Sequence, residues 1–103
     1  MTTQLELPFD LPKNKSKRAD ILDTAKKYVT QERAAQHGNM EDNFSTIAVY
    51  WSEHLGTKVT AIDVAAMMTL LKIARVKSSP HNLDNYTDGC GYLSCGGELA
   101  CRE

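Results

Sequence analysis

The feature that most limits what this chain can become is the run from Ala61 to Ala74. Between Val64 and Leu71 only Thr69 is polar. A helix apolar on nearly every side has to be wrapped by other helices or cross a membrane. The run falls short of the roughly 20 apolar residues of a membrane span. Lys72 also interrupts it, and Arg75 follows at once. Its expected place is therefore the centre of a helical core. Thr60-Ala61-Ile62-Asp63 opens it as a capping box would, with Asp in place of Glu.

Helical periodicity recurs on both sides. Ile21, Leu22, Ala25, Tyr28 and Val29 predict a first helix over about 19–35, ended by His37-Gly38. Asp20 and Asp23 suit its first turn. Phe44, Ile47, Ala48, Trp51 and Leu55 predict a second helix, with Glu41, Asp42 and Asn43 at its start and Gly56 at its stop. After the breaker Ser78-Ser79-Pro80, a fourth helix is expected from Leu83 or Asp84 to about Leu99. Gly89, Gly91, Gly96 and Gly97 lie inside it, each costing up to about 1 kcal/mol in a helix. Tyr92, Cys95 and Leu99 keep helical spacing nonetheless, and small residues let helices approach closely. The expected fold is all-α: a four-helix bundle over 19–100 behind a flexible N-terminal arm, 1–18.

Composition narrows the function classes. The chain has 103 residues, 42% apolar and 24% charged, with a net charge of −1. That describes one globular domain and argues against a dedicated nucleic-acid binder. A core built from about 80 residues is marginal alone, so a homo-oligomer is expected. The N-terminus lacks the positive region and apolar run of a secretory signal. Cys90, Cys95 and Cys101 are expected to be reduced thiols in a cytoplasm, and with His81 they make a poor zinc pattern.

The chemistry concentrates where the third and fourth helices should meet. Asp84, Asn85, Asp88 and Tyr92 share one helical face, and Lys72 and Arg75 share another. The short connection between them brings the two faces together. One reading is an ion-pair cluster that ties two helix ends. The other is a nucleotide polyphosphate site. There Asp84 and Asp88 would hold Mg²⁺, with Glu41 as a further ligand. Lys72 and Arg75 would reach phosphate oxygens, and Asn85 and Tyr92 would assist. His37 would contact base or phosphate, although a histidine at a helix end is more often a cap.

Two resemblances add to this. Gln4-Leu5-Glu6-Leu7-Pro8-Phe9 resembles the hexapeptide by which bacterial replication and repair proteins bind the sliding clamp: Gln, Leu, any, Leu, any, Phe. Leu7 and Phe9 would anchor such a peptide in an apolar pocket, with Gln4 as the polar anchor and Leu5 beside it. The linker KNKSKR behind it carries four of the chain's 12 Lys and Arg. The alternative is that Leu5, Leu7 and Phe9 fold back on the chain's own core.

The second resemblance covers Arg33 to Tyr92. Its residues are Arg33, His37-Gly38, Asn43-Phe44, Ile47-Ala48 and Trp51, then Thr60, Asp63-Val64, Met67-Met68, Leu71-Lys72 and Ala74-Arg75. It closes with Asp84-Asn85-x-x-Asp88-x-x-Gly91-Tyr92. This pattern resembles a family of small phage-encoded helical domains without an assigned function. It is in turn similar to the all-α MazG-type nucleotide pyrophosphohydrolases, helical bundles that are usually oligomeric. These use Mg²⁺ and helix-borne carboxylates to split nucleoside triphosphates into monophosphate and pyrophosphate. If the chain is an enzyme of this kind, Asp84 and Asp88 are the expected catalytic carboxylates, with Lys72, Arg75, Asn85, Tyr92, His37 and Arg33 around the substrate. The chain departs from that type: the Glu-x-x-Glu and Glu-x-x-Asp pairs are missing from the expected places. The alternative expectation is a non-enzymatic phage protein in the host cytoplasm that binds a host replication or defence component.

Overall fold

The computed structural model describes residues 17–32 and 40–102. Gln4, Leu5, Leu7 and Phe9, and likewise Arg33 and His37, lie outside the described residues.

Helix α1 spans Arg18–Lys27. Asp20 starts it by accepting the Lys17 backbone N–H at 3.1 Å. From Tyr28 to Glu32 the helix widens into a π turn. The α-helical part thus ends at Lys27, earlier than the periodicity predicts. Tyr28 and Val29 in this turn line one cleft.

Helix α2 spans Met40–Leu55. Phe44 and Ala48 are buried and Ile47 and Trp51 pack beside them. Leu55 is instead exposed, since the chain turns away at Gly56 with φ 70°. That left-handed conformation suits glycine. Ser52 secures the connection that follows: its hydroxyl accepts the Val59 N–H at 2.7 Å and donates to the Val59 carbonyl at 3.2 Å.

Helix α3, Ala61–Ser78, has the expected capping box. The Asp63 N–H donates to Thr60 Oγ1 at 3.1 Å, and the Thr60 N–H donates to Asp63 Oδ2 at 2.9 Å. Helix α4 runs Leu83–Cys101, through every glycine and two residues beyond Leu99. Asn82 caps it by accepting the Asp84 N–H at 3.1 Å.

Helices α3 and α4 form an antiparallel hairpin, and this is the largest packing surface among the described residues. Its register is read from the glycines. A Cβ on Gly96 would lie 2.9 Å from Ala65 Cβ, and one on Gly89 would lie 3.8 Å from Lys72 Cβ. Helix α1 lies on α4, with Val29 Cγ1 only 3.1 Å from where a Gly91 Cβ would stand. Helix α2 lies on α3, and the core gathers Phe44, Ala48, Val59, Val64 and Ala65. The fold is the expected all-α bundle.

One expectation about α3 fails. Its middle is not wrapped: Val64 and Ala65 are buried, but Met67 is 41%, Leu70 62%, Leu71 43% and Ile73 58% exposed. The neighbours α2 and α4 cover one side of α3 and leave the opposite side to solvent.

The glycines separate close approach from mere tolerance. Gly96→Val is expected to lower stability by about 1–3 kcal/mol, the usual cost of overpacking. A Cβ at Gly97 would meet nothing within 4 Å. Gly97→Ala is therefore expected to raise stability by roughly 0.5–1 kcal/mol through helix propensity. Urea unfolding midpoints of the two variants check both signs.

Candidate functional site at the hairpin end

The hairpin register puts Lys72 opposite Asp88. Lys72 Nζ stands 3.0 Å from Asp88 Oδ2, with side chains only 12% and 15% exposed. Gly89 lies beside the Lys72 stem, where an added Cβ would stand at an ordinary contact distance of 3.8 Å. Opposite charges this sheltered attract more strongly than at a surface, and neither is easily removed alone.

The other sequence-selected residues separate around this pair. Asp84 is exposed in the first turn of α4, and its carboxylate has no partner among the described residues. Arg75 is exposed on α3, and its guanidinium likewise has none. Asn85 is buried at 4% exposure and reaches back to the connecting loop, with Nδ2 3.5 Å from the Ser79 carbonyl. Tyr86 donates its hydroxyl to the Pro80 carbonyl at 2.8 Å. Residues 79–82 are thereby held against the start of α4. Tyr92 packs its ring on Phe44, centroids 6.0 Å apart.

A small open cleft lies beside Asp88, lined by Tyr28, Val29, Met40, Thr87, Gly91 and Tyr92. Its volume is about 10 Å³, room for roughly one water. Tyr28, Met40 and Thr87 had no place in the sequence reading of the site. Tyr28 was legible only as a member of the α1 apolar stripe. Thr87, buried at 4% exposure, gave no periodic signal.

Glu41 joins a different group. Its carboxylate pairs with Arg102 at 2.9 Å, and Arg102 also binds Glu98 at 2.7 Å. Hydrogen bonds to Glu41 and Glu98 hold the guanidinium proton more firmly than usual. The Glu98–Arg102 spacing was visible in the sequence as an i,i+4 pair. Glu41 and Glu98 both raise the pKa of Cys95. Cys95 lies about 16 Å along α4 from Asp84, at 1.5 Å per residue. Among the described residues, no three His, Cys, Asp or Glu side chains converge to hold a metal ion.

The three thiols are free. Burial pushes the Cys95 thiol above its ordinary value of 9.0, and Glu41 and Glu98 add to the shift. A raised thiol pKa contributes stability that is intact below the unfolded value and fades as pH rises through the folded one. Cys101 is exposed. Iodoacetamide at neutral pH is expected to label Cys101 first and Cys95 well after it, as peptide mass mapping would show.

The ion pair gives a second expectation. Lys72→Met should cost on the order of 2 kcal/mol, because it strands the Asp88 carboxylate in a sheltered place. Lys72→Met with Asp88→Leu should recover most of that loss, as denaturant unfolding of the single and double variants would show.

Comparison with known proteins places the chain. It is 40% identical over 75 residues to the Gene 55 protein of Mycobacterium phage D29, covering 73% of this chain and 50% of that protein. It is 38% identical over 73 residues to the Gene 55 protein of Mycobacterium phage L5, covering 70% and 47%. The chain thus spans about half the length of the curated relatives it matches. No solved structure matches it. Residues 20–100 match a domain of unknown function, DUF6378, and the chain belongs to that family.

Proposed function

We propose that the chain is a phage protein that works by binding host replication machinery in the host cytoplasm rather than by turning over a nucleotide. The observation that supports this most is the closed Lys72–Asp88 pair. The sheltered carboxylate at the hairpin end is already neutralised by the ammonium that a phosphate would need. Glu41, the third carboxylate of the expected metal set, is bound to Arg102. The hexapeptide with Gln4, Leu5, Leu7 and Phe9 supplies the docking element in this reading. It would hold the bundle on the bacterial sliding clamp through two apolar anchors.

A second reading keeps a Mg²⁺-dependent nucleotide site. The exposure of Asp84 and Arg75 at the same end of the hairpin favours it. In that reading Asp84 would bind the cation and Arg75 a phosphate, and Lys72 and Asp88 would first have to separate. The reaction would be pyrophosphate release, with Asp84 and Asp88 serving in place of the Glu-x-x-Glu and Glu-x-x-Asp pairs that this chain lacks.

Two measurements divide the readings. Surface plasmon resonance against purified clamp is expected to show binding that drops at least about tenfold in Leu7→Ala/Phe9→Ala, since paired apolar anchors carry most of such an interface. Undiminished or absent binding overturns the docking reading. Incubation with each deoxynucleoside triphosphate and Mg²⁺ is expected to release no pyrophosphate. Turnover that disappears in Asp84→Ala/Asp88→Ala would establish the second reading instead.

A further inference from the structure

The exposed side of α3 has an order of its own. Asp63, Ala66, Met67, Leu70, Ile73, Ala74 and Lys77 recur at i, i+3, i+4, i+7, i+10, i+11 and i+14. At 3.6 residues per turn they all fall within about 60° of Leu70. All seven are exposed. Val64 and Ala65, on the other side, are at 0% and 1%. Helix α3 therefore has two apolar faces, one spent on the hairpin and one open. A stripe of this spacing is the seam along which helices pair.

The stripe also reads the same from both ends. Leu70 is its midpoint. Counting outward from it, Met67 matches Ile73, Ala66 matches Ala74, and Asp63 matches Lys77. An antiparallel pairing with a second copy about a two-fold axis sets each residue against its match. Large side chains then meet in the middle, and small ones flank them where the backbones come close. An acidic residue faces a basic one at each end. The Asp63 carboxylate is fixed in place by the Thr60 N–H and has lone pairs left to accept more. Lys77 is exposed and has no ion pair among the described residues. A parallel pairing would set Asp63 against Asp63 and Lys77 against Lys77. The antiparallel one also opposes the two helix dipoles.

We infer that the outer face of α3 binds the same face of a second copy, antiparallel, with Leu70 on the two-fold axis. Lys72 and the cleft lie on the opposite side of α3, so the pairing leaves the hairpin end accessible. The inference does not depend on the clamp or nucleotide reading.

Sedimentation equilibrium of the full chain across the micromolar range is expected to give twice the 11.4 kDa chain mass. Leu70→Glu would put two carboxylates on the axis. It is expected to raise the dimer dissociation constant at least about a hundredfold while circular dichroism stays helical, since a buried unpaired charge costs several kcal/mol. Lys77→Glu is expected to weaken the dimer less and to reverse its salt dependence, so that added salt strengthens rather than weakens it. In a Cys101→Ser background, which removes the exposed native thiol, mild oxidation of Leu70→Cys is expected to give a covalent dimer. The same treatment of Leu93→Cys in that background, an exposed position on α4, is not expected to do so. A monomeric wild-type chain overturns the inference, as does a dimer that survives Leu70→Glu. A monomer in which deletion of residues 1–12 unmasks the thiol of Leu70→Cys to alkylation assigns the face to the chain's own arm instead.

Discussion

The structure depends on how closely α4 can lie on α3. Four glycines in α4 cost roughly 3–4 kcal/mol of helix propensity together. No isolated peptide of that sequence would be a good helix. What offsets the cost is the approach it permits. Ala65 stands where a side chain at Gly96 would have to go, and Val29 crowds Gly91 in the same way. Packing at that distance multiplies dispersion contacts along the hairpin. Helix α4 is thus helical because its neighbours are there, which is the usual source of helix stability in a small protein.

The same register decides the electrostatics. Once Ala65 faces Gly96, Lys72 has to face the turn holding Asp88 and Gly89. The pair forms 3.0 Å apart with both side chains largely sheltered. Asp84, one helical turn earlier on α4, stays exposed. Two carboxylates that look equivalent in sequence thereby acquire different surroundings. One is sheltered and compensated; the other is open to any cation or basic partner that arrives.

Helix α3 shows where hydrophobic periodicity loses its meaning. A helix with one apolar stripe announces which side is inward. When the stripe widens to most of the circumference, the sequence no longer distinguishes burial by the chain's own helices from burial by something else. Among the described residues only α2 and α4 pack substantially on α3, too few to surround it, and the face around Leu70 stays open. Leu55 is a smaller case of the same kind: it follows the α2 stripe, but the core has ended where it stands.

The sequence by itself determined the all-α class, the positions of α2, α3 and α4, and the helix signals at Thr60 and Gly56. These follow from local chemistry: periodicity, hydrogen-bonding side chains at helix starts, and a residue that accepts positive φ. It also brought Lys72 and Asp88 to the same end of the hairpin, because a short connection leaves no other geometry. Only the tertiary structure decided that these two pair, that Asn85 turns inward to the loop, and that Glu41 goes to Arg102. It alone showed the π turn at Tyr28 and the open face of α3. Each of those outcomes rests on which helix lies where and at what distance. Side-chain spacing along one helix carries no record of the helix across from it.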